Sequence, residues 1–310
     1  MTRRDYVYLL GLSALWGSSY LFIKIALQGG FAPAELVLVR LILAVAVLYL
    51  VVWLQHQRLP RDSRHWRAFA VMGLVGTALP FGLIAWGETE IDSSLAAVLN
   101  ATVPISTMLL ARYWTRQESL SPARLAGVLA GFAGVVVLVG NVSLGRHPGA
   151  AFGIGALLVS SVCYGIASNY ARRAFHDLSP VVASSGQMML GAAYLAIPGA
   201  VSGAAAPHAP TAGAVAATVA LALLGTVGAY LLYYRLLARI GATRTTMSTY
   251  LLPAFALVYG ALFLHEAITP RLLAGFALIV LGVAFVNGRP RPRAVVAAEC
   301  TVSTPASAAH

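Results

Sequence analysis

The sequence predicts an all-α integral membrane protein, with ten transmembrane helices arranged as two inverted five-helix repeats around a central cavity. Three observations carry that expectation. Of 310 residues, 59% are hydrophobic and only 10% are charged, whereas about a quarter of an ordinary soluble chain is charged. One stretch of sequence occurs twice, about 148 residues apart. The basic residues also fall almost entirely on one side of the predicted spans.

The repeated stretch runs from Ile91 to Gly140 and again from Ile240 to Gly288. Each copy has an apolar segment with a central proline (Pro104, Pro253) and then a polar turn with a glutamate (Glu118, Glu266). A hydroxyl-proline pair follows, Ser121-Pro122 and Thr269-Pro270, and then a second apolar segment. Gly127, Gly134 and Gly140 recur as Gly275, Gly282 and Gly288, each 148 residues on. Further upstream, Trp16-Gly17 becomes Tyr164-Gly165, Lys24 becomes Arg172, and Gly76-Thr77 becomes Gly225-Thr226. The chain therefore divides into repeats at about 1–145 and 146–288, with a Pro/Ala/Ser-rich tail at 289–310 expected to be a disordered cytoplasmic segment.

Apolar stretches of 18 or more residues read as membrane helices, since backbone in lipid must satisfy its own hydrogen bonds. Ten stretches qualify: about 6–27, 34–54, 67–87, 91–111, 121–141, 150–171, 180–201, 212–235, 241–264 and 268–287. On one side of them lie Arg3, Arg4, Arg58, Arg61, Arg64, Arg67, Arg112, Arg116, Arg124, Arg172, Arg173, Arg235, Arg239, Arg244, Arg289, Arg291 and Arg293, which makes 17. On the other side lie only Arg146 and Arg271. Positive charge stays in the cytoplasm, so both termini are expected there, in a multi-pass membrane protein. The same distribution accounts for the net charge of +11 without a nucleic-acid partner. Two cysteines, Cys163 and Cys300, cannot build a disulfide framework.

In span 1, Trp16, Tyr20 and Lys24 are spaced i, i+4, i+8 and share one helix face. Lys24 reads either as a snorkelling lysine or as a cation facing substrate or a gate. In span 2, Arg40 must find a partner or a substrate. Glu35 and the acidic turn Glu88, Glu90, Asp92 offer candidate partners. Span 3 carries Gly76, Thr77, Pro80 and Trp86, and span 4 carries Asn100 beside Pro104. Asn100 fits helix packing or a cavity equally well. Span 5 is apolar, with glycines at helix-packing spacing. Span 6 has a polar stripe that includes Ser160, Ser161, Tyr164 and Asn169; span 7 has Ser184, Ser185 and Gln187. Span 8 ends in Tyr230, Tyr233 and Tyr234, of which Tyr230 is the deeper cavity candidate and one or two others suit an interfacial belt. Span 9 opens on a hydroxyl-rich run that ends at Tyr250. Trp16, Tyr20, Lys24, Arg40, Trp86, Asn100, Tyr164, Asn169, Tyr230 and Tyr250 are thus the candidate substrate-binding residues.

Five spans per half is an odd number, so the second half enters the membrane upside down. Inverted repeats mark secondary transporters, with the substrate site near the midplane between them. The repeat also exchanges faces. Lys24 with Glu266 and Arg172 with Glu118 could form alternating outer and inner gates. The plainer reading places each glutamate ahead of the proline-led start of its following helix.

These residues together resemble the EamA-like branch of the drug/metabolite transporter superfamily. The resemblance rests on Trp16-Gly17 with Lys24, on Pro33, Arg40 and Pro104, on Glu118 with Gly127 and Gly134, and on the second copy with Pro253, Glu266, Gly275 and Gly282. It implies ten helices in two inverted five-helix halves, cytoplasmic termini, and export of amino acids or other small metabolites across the bacterial inner membrane. The second copy departs from the first, since Gln187 stands about where Arg40 would recur and Tyr164 replaces the tryptophan.

An enzyme is disfavoured. His265-Glu266 is followed by Ala267, Ile268 and Thr269, so HExxH is absent, and the aspartates Asp5, Asp62, Asp92 and Asp177 lie in loops or at span ends. The segment GLVGTALPFG lacks the ending of an ATP-binding loop. No cofactor or metal is expected. The expected partners are a small-molecule substrate and the lipid bilayer, and a homodimer stays open. No acid stands at mid-membrane as an obvious proton site, which leaves energy coupling unassigned. An importer or a multidrug carrier of the same fold is the alternative, with a channel further behind.

Overall fold

The computed structural model describes residues 2–115, 122–139, 149–202, 209–240, 245 and 248–287. Among these residues every element is helical and no strand forms. The first half contains α1 (Arg3–Gln28), α2 (Pro33–Leu54), α3 (Ser63–Gly73), a π-helical segment π1 (Leu74–Ala78), α4 (Leu79–Glu90), α5 (Ser93–Asn100), α6 (Val103–Thr115) and α7 (Pro122–Val139). The second contains α8 (Ala150–Ala174), α9 (Pro180–Ser202), α10 (Ala212–Ala220), π2 (Leu221–Gly228), α11 (Ala229–Ile240), α12 (Ser248–Phe263) and α13 (Pro270–Asn287). Glu118 and residues 288–310 lie outside the described residues, as do the side chains of Arg172 and Tyr250.

Local chemistry sets the helix starts. Proline opens α2, α7, α9 and α13, where its missing N–H costs nothing and its fixed φ suits the first turn. Asp62 caps α3 by accepting from the His65 N–H, and Thr211 caps α10 by accepting from the Ala214 N–H. Span 3 runs unbroken through π1, and span 8 through π2.

Among the described residues, five segments are long and apolar enough to cross a membrane: Arg3–Gln28, Pro33–Leu54, Ser63–Glu90, Ala150–Ala171 and Ala212–Leu236. Leu125–Leu138, Leu251–Phe263 and Pro270–Gly282 are shorter apolar helices. The expected fourth span is not one helix. It breaks at the turn Ala101-Thr102, just ahead of Pro104, whose ring cannot continue the preceding ladder. Pro253 sits inside α12 with no such break.

The most extensive helix pairs join one half of the sequence to the other: α7 with α13, α4 with α8, α1 with α12, α2 with α9, and α6 with α8. The 148-residue offset exchanges partners, so α1 against α12 answers α8 against α6. The α7–α13 pair is close because it is built on glycine. A Cβ on Gly134 would lie 2.8 Å from the Gly275 carbonyl oxygen and 2.8 Å from an Ile279 side-chain carbon. Lipid supplies no hydrophobic drive between helices, so such close van der Waals contact is what holds the pair. The buried core therefore lies along the seam between the halves, with Leu36, Leu41, Leu99, Leu157 and Ile279 fully enclosed.

Candidate substrate cavity

The seam is not filled completely. A cavity of about 150 Å³ opens among α1, α2, span 3, α5, α6, α8, α9, span 8 and α12. A water needs roughly 10–15 Å³ on this measure, so the space suits about ten waters or one small metabolite. Trp16, Tyr20, Arg40, Asn100, Tyr164 and Tyr230 line it, six of the ten residues expected there.

One wall is aromatic. Trp16 meets Tyr230 edge-on at 6.1 Å between ring centroids and Tyr233 at 5.5 Å. Tyr233 and Tyr234 also face the cavity, and Tyr234 is buried. Both were candidates for an interfacial belt. Span 8 instead carries them inward through π2, and Phe175 and Gln187 enclose Tyr234.

The polar features come in related pairs. Arg40, only 5% exposed, donates from Nε to Thr226 Oγ1 at 2.7 Å. Its guanidinium lies 3.9 Å from the centroid of Phe81, a cation–π contact. The carboxylate partner expected for Arg40 is therefore replaced by a hydroxyl and a ring, and its terminal nitrogens hydrogen-bond no described residue. Gln187 donates to Thr77 Oγ1 at 2.9 Å and accepts from the Tyr234 hydroxyl at 2.9 Å. Thr77 lies in π1 and Thr226 in π2, 149 residues apart. Each half thus extends a polar side chain from its second span to the wide-turn threonine of the other half. Asn100 completes the set, donating to the Tyr20 hydroxyl at 2.6 Å and accepting from Ser161 at 3.2 Å.

Lys24, Trp86 and Asn169 do not line the cavity. Lys24 turns to the end of α4, where its ammonium donates to the backbone carbonyls of Glu88 and Ile91, both at 2.8 Å. This places a cation on the negative end of a helix dipole. Trp86 is 42% exposed on the outside of span 3. Asn169 donates to the carbonyls of Thr107 and Gly165, tying α8 to α6.

Lys24 and Glu266, one candidate gate pair, are not bonded to each other in this conformation. Glu266 accepts from the N–H groups of Ser93 and Ser94, both at 2.9 Å, and from both of their hydroxyls. Its own helix, α13, is capped by Thr269. Glu266 thus caps α5 of the other half, at a helix whose N-cap residue Asp92 makes no side-chain cap bond. Backbone donors at a helix N-terminus favour an anion, and that draws Glu266 away from Lys24.

The opposite end carries its own ties. Arg239 of α11 bonds Asp5 of α1 at 3.1 Å. The His65 ring lies between Asp62, at 2.6 Å, and Asp177, at 3.2 Å, and links α3 to the α8–α9 turn. The His65 ring holds the Asp177 carboxyl below the usual carboxylate range, and the His65 backbone N–H, then its ring, does the same for Asp62. Ser179 donates to Gln57 across the same end.

Against known proteins, the model of the EamA-like transporter family matches twice, over residues 4–140 and 151–288. The chain belongs to the EamA-like transporter family. It is 24% identical over 279 residues to the Bacillus subtilis protein named uncharacterized transporter YoaV, covering 90% of this chain and 94% of that one. It is 29% identical to a probable terminal-alkyne amino-acid exporter of Streptantibioticus cattleyicolor, covering 88% and 90%. It is 25% identical to the Escherichia coli inner membrane transporter YedA, covering 90% and 89%. A crystal structure 20% identical in sequence superposes with a TM-score of 0.67, over 92% of this chain and 96% of the other, which establishes the shared fold. This EamA-like chain is a multi-pass membrane transporter and not an enzyme.

Proposed function

We propose that this chain is a secondary transporter of the bacterial inner membrane that exports amino acids or related small metabolites by alternating access. In this reading ten spans form two inverted repeats, with both termini in the cytoplasm. The double family match and the exchange of helix contacts under the 148-residue offset support the repeats. The lopsided arginine distribution supports the orientation.

One observation carries the substrate class. A buried guanidinium with free donors stands in a small cavity beside an aromatic wall. Arginine recognises carboxylates through paired N–H donors, and the rings favour an apolar or cationic remainder. An amino acid offers all of these groups, and the cavity size disfavours bulky drugs. A relative named as an amino-acid exporter points the same way.

Efflux from cells expressing the chain tests this reading. Loading cells with L-propargylglycine, L-threonine and L-phenylalanine should reveal faster efflux of at least one. Arg40→Gln and Trp16→Ala should each abolish it, while Trp86→Ala should leave it intact. Efflux indifferent to Arg40→Gln would remove the carboxylate-binding role.

A further inference from the structure

Two glutamates, Glu88 and Glu266, stand near each other and Lys24, and they are held in opposite ways. Glu266 accepts four hydrogen bonds and donates none, the pattern of an ionised carboxylate. Glu88 is fully buried, and both of its carboxyl oxygens lack any partner. Lys24 bonds the backbone carbonyl of Glu88 but not its side chain. Glu88 is not among the residues that line the cavity.

Placement compounds the problem for a charged Glu88. It sits in the last turn of α4, where the helix dipole repels an anion. The charged and titratable groups that face it are Lys24 and Tyr20 from α1, Arg40 from α2, and Glu266 from the segment before α13. Lys24 gives its ammonium to two backbone carbonyls and Arg40 its Nε–H to Thr226, and neither cation bonds the Glu88 carboxyl. Glu266 adds a second negative charge. An enclosed carboxylate with no hydrogen bond is costly, and the protein can avoid that cost by keeping the group neutral. A proton is the one cation that needs no room beyond the carboxyl itself.

We infer that Glu88 is a proton-binding site, occupied by a proton in this conformation, and that its occupancy is linked to anion binding at Arg40. One carboxylate oxygen takes a proton from hydronium: an O–H bond forms on Glu88, one O–H bond of the hydronium breaks, and a water is left. When the proton leaves, the new negative charge attracts Arg40 and Lys24 and competes with a substrate carboxylate for them. Proton and substrate anion therefore bind together, and linkage makes the effect reciprocal. The proton site stands apart from the transport reading; the linkage rests on it.

Infrared difference spectra of the purified protein in detergent, taken between low and high pH, test the site without any substrate. The wild-type chain should show a protonated-carboxyl band that Glu88→Gln lacks and Glu88→Asp retains. A band unchanged in Glu88→Gln, or absent from the wild type, overturns the assignment. Binding of L-propargylglycine, followed by tryptophan fluorescence, then tests the linkage. Wild-type affinity should fall with rising pH, by up to about tenfold per pH unit for one linked proton, and Glu88→Gln should be flat. Equal pH dependence in both proteins overturns the linkage. If the wild type binds no amino acid at any pH, the substrate reading fails, and the infrared band still decides the proton site.

Discussion

Arg40 and Gln187 hold equivalent places in the two halves, and each reaches a threonine in the wide helical turn of the other half. The geometry is shared and the chemistry is not. Arg40 carries a charge, spends one donor on Thr226 and stacks on Phe81. Gln187 is neutral and is bonded on both sides, to Thr77 and from Tyr234. One half thus supplies a cation with donors to spare, and the other supplies a closed, satisfied network. The matched placement of Arg40 and Gln187 leaves the cavity electrically lopsided.

The largest expected effect comes from removing that asymmetry. Arg40→Gln should lower the affinity of a carboxylate substrate about 10- to 100-fold, because hydrogen bonds to a charged group contribute about 1.5–3 kcal/mol. Equilibrium binding to the purified protein would measure it. The swapped double variant, Arg40→Gln with Gln187→Arg, should not recover the loss, since Phe81 supports a guanidinium only from the first half. Full recovery would mean that charge matters and position does not.

The threonines sharpen the comparison at smaller scale. Thr226→Val leaves the Arg40 Nε–H buried without its acceptor and should cost about 1–3 kcal/mol of stability. Thr77→Val should cost less, because Gln187 keeps a second acceptor in the Gly76 carbonyl at 3.3 Å. Thermal unfolding in one detergent would rank the two.

A smaller effect is expected at the far end. Asp62 and Asp177 are held below their ordinary range by His65. A carboxyl with a lowered folded value stabilises the fold above its unfolded value, near pH 4, and loses that contribution as pH falls through the folded value. Melting temperature should therefore drop below about pH 4, and Asp177→Asn should flatten that drop. The smallest effect belongs to Trp86→Ala, whose ring is 42% exposed; its melting temperature should match the wild type.

Helix placement and part of the cavity lining were readable, although the same reading of polar mid-span positions also gave Lys24, Trp86 and Asn169, which lie elsewhere. Periodicity and the 148-residue offset give the helices, and the mid-span polar positions give Trp16, Tyr20, Arg40, Asn100, Tyr164 and Tyr230 as cavity lining. What stayed hidden depends on which group wins a contest for partners. Lys24 and Glu266 carry opposite charge and were one candidate gate beside a plainer helix-start role for the glutamate, yet each goes to the end of another helix, Lys24 to the α4 carbonyls and Glu266 to the α5 N–H groups. Nothing local to either residue signals that a backbone terminus from another helix stands nearby. Gln187, Thr77 and Thr226 were visible as polar residues or as a repeated Gly-Thr pair, but only folding brings them together. Phe81 looks like any apolar residue until Arg40 lies over it.

The two wide turns have a consequence of their own. Both are wider than α-helical pitch, and Thr226 donates its hydroxyl to the Leu221 carbonyl five residues back, at 3.2 Å. Tightening π1 to ordinary pitch would rotate everything from Leu79 onward by about 100° per residue removed. Phe81 would leave Arg40, and a different stripe of α4 would turn toward the cavity. The pitch of these turns thus sets which stripe of the following helix meets the cavity, once in each half of the sequence, at Leu74–Ala78 and at Leu221–Gly228.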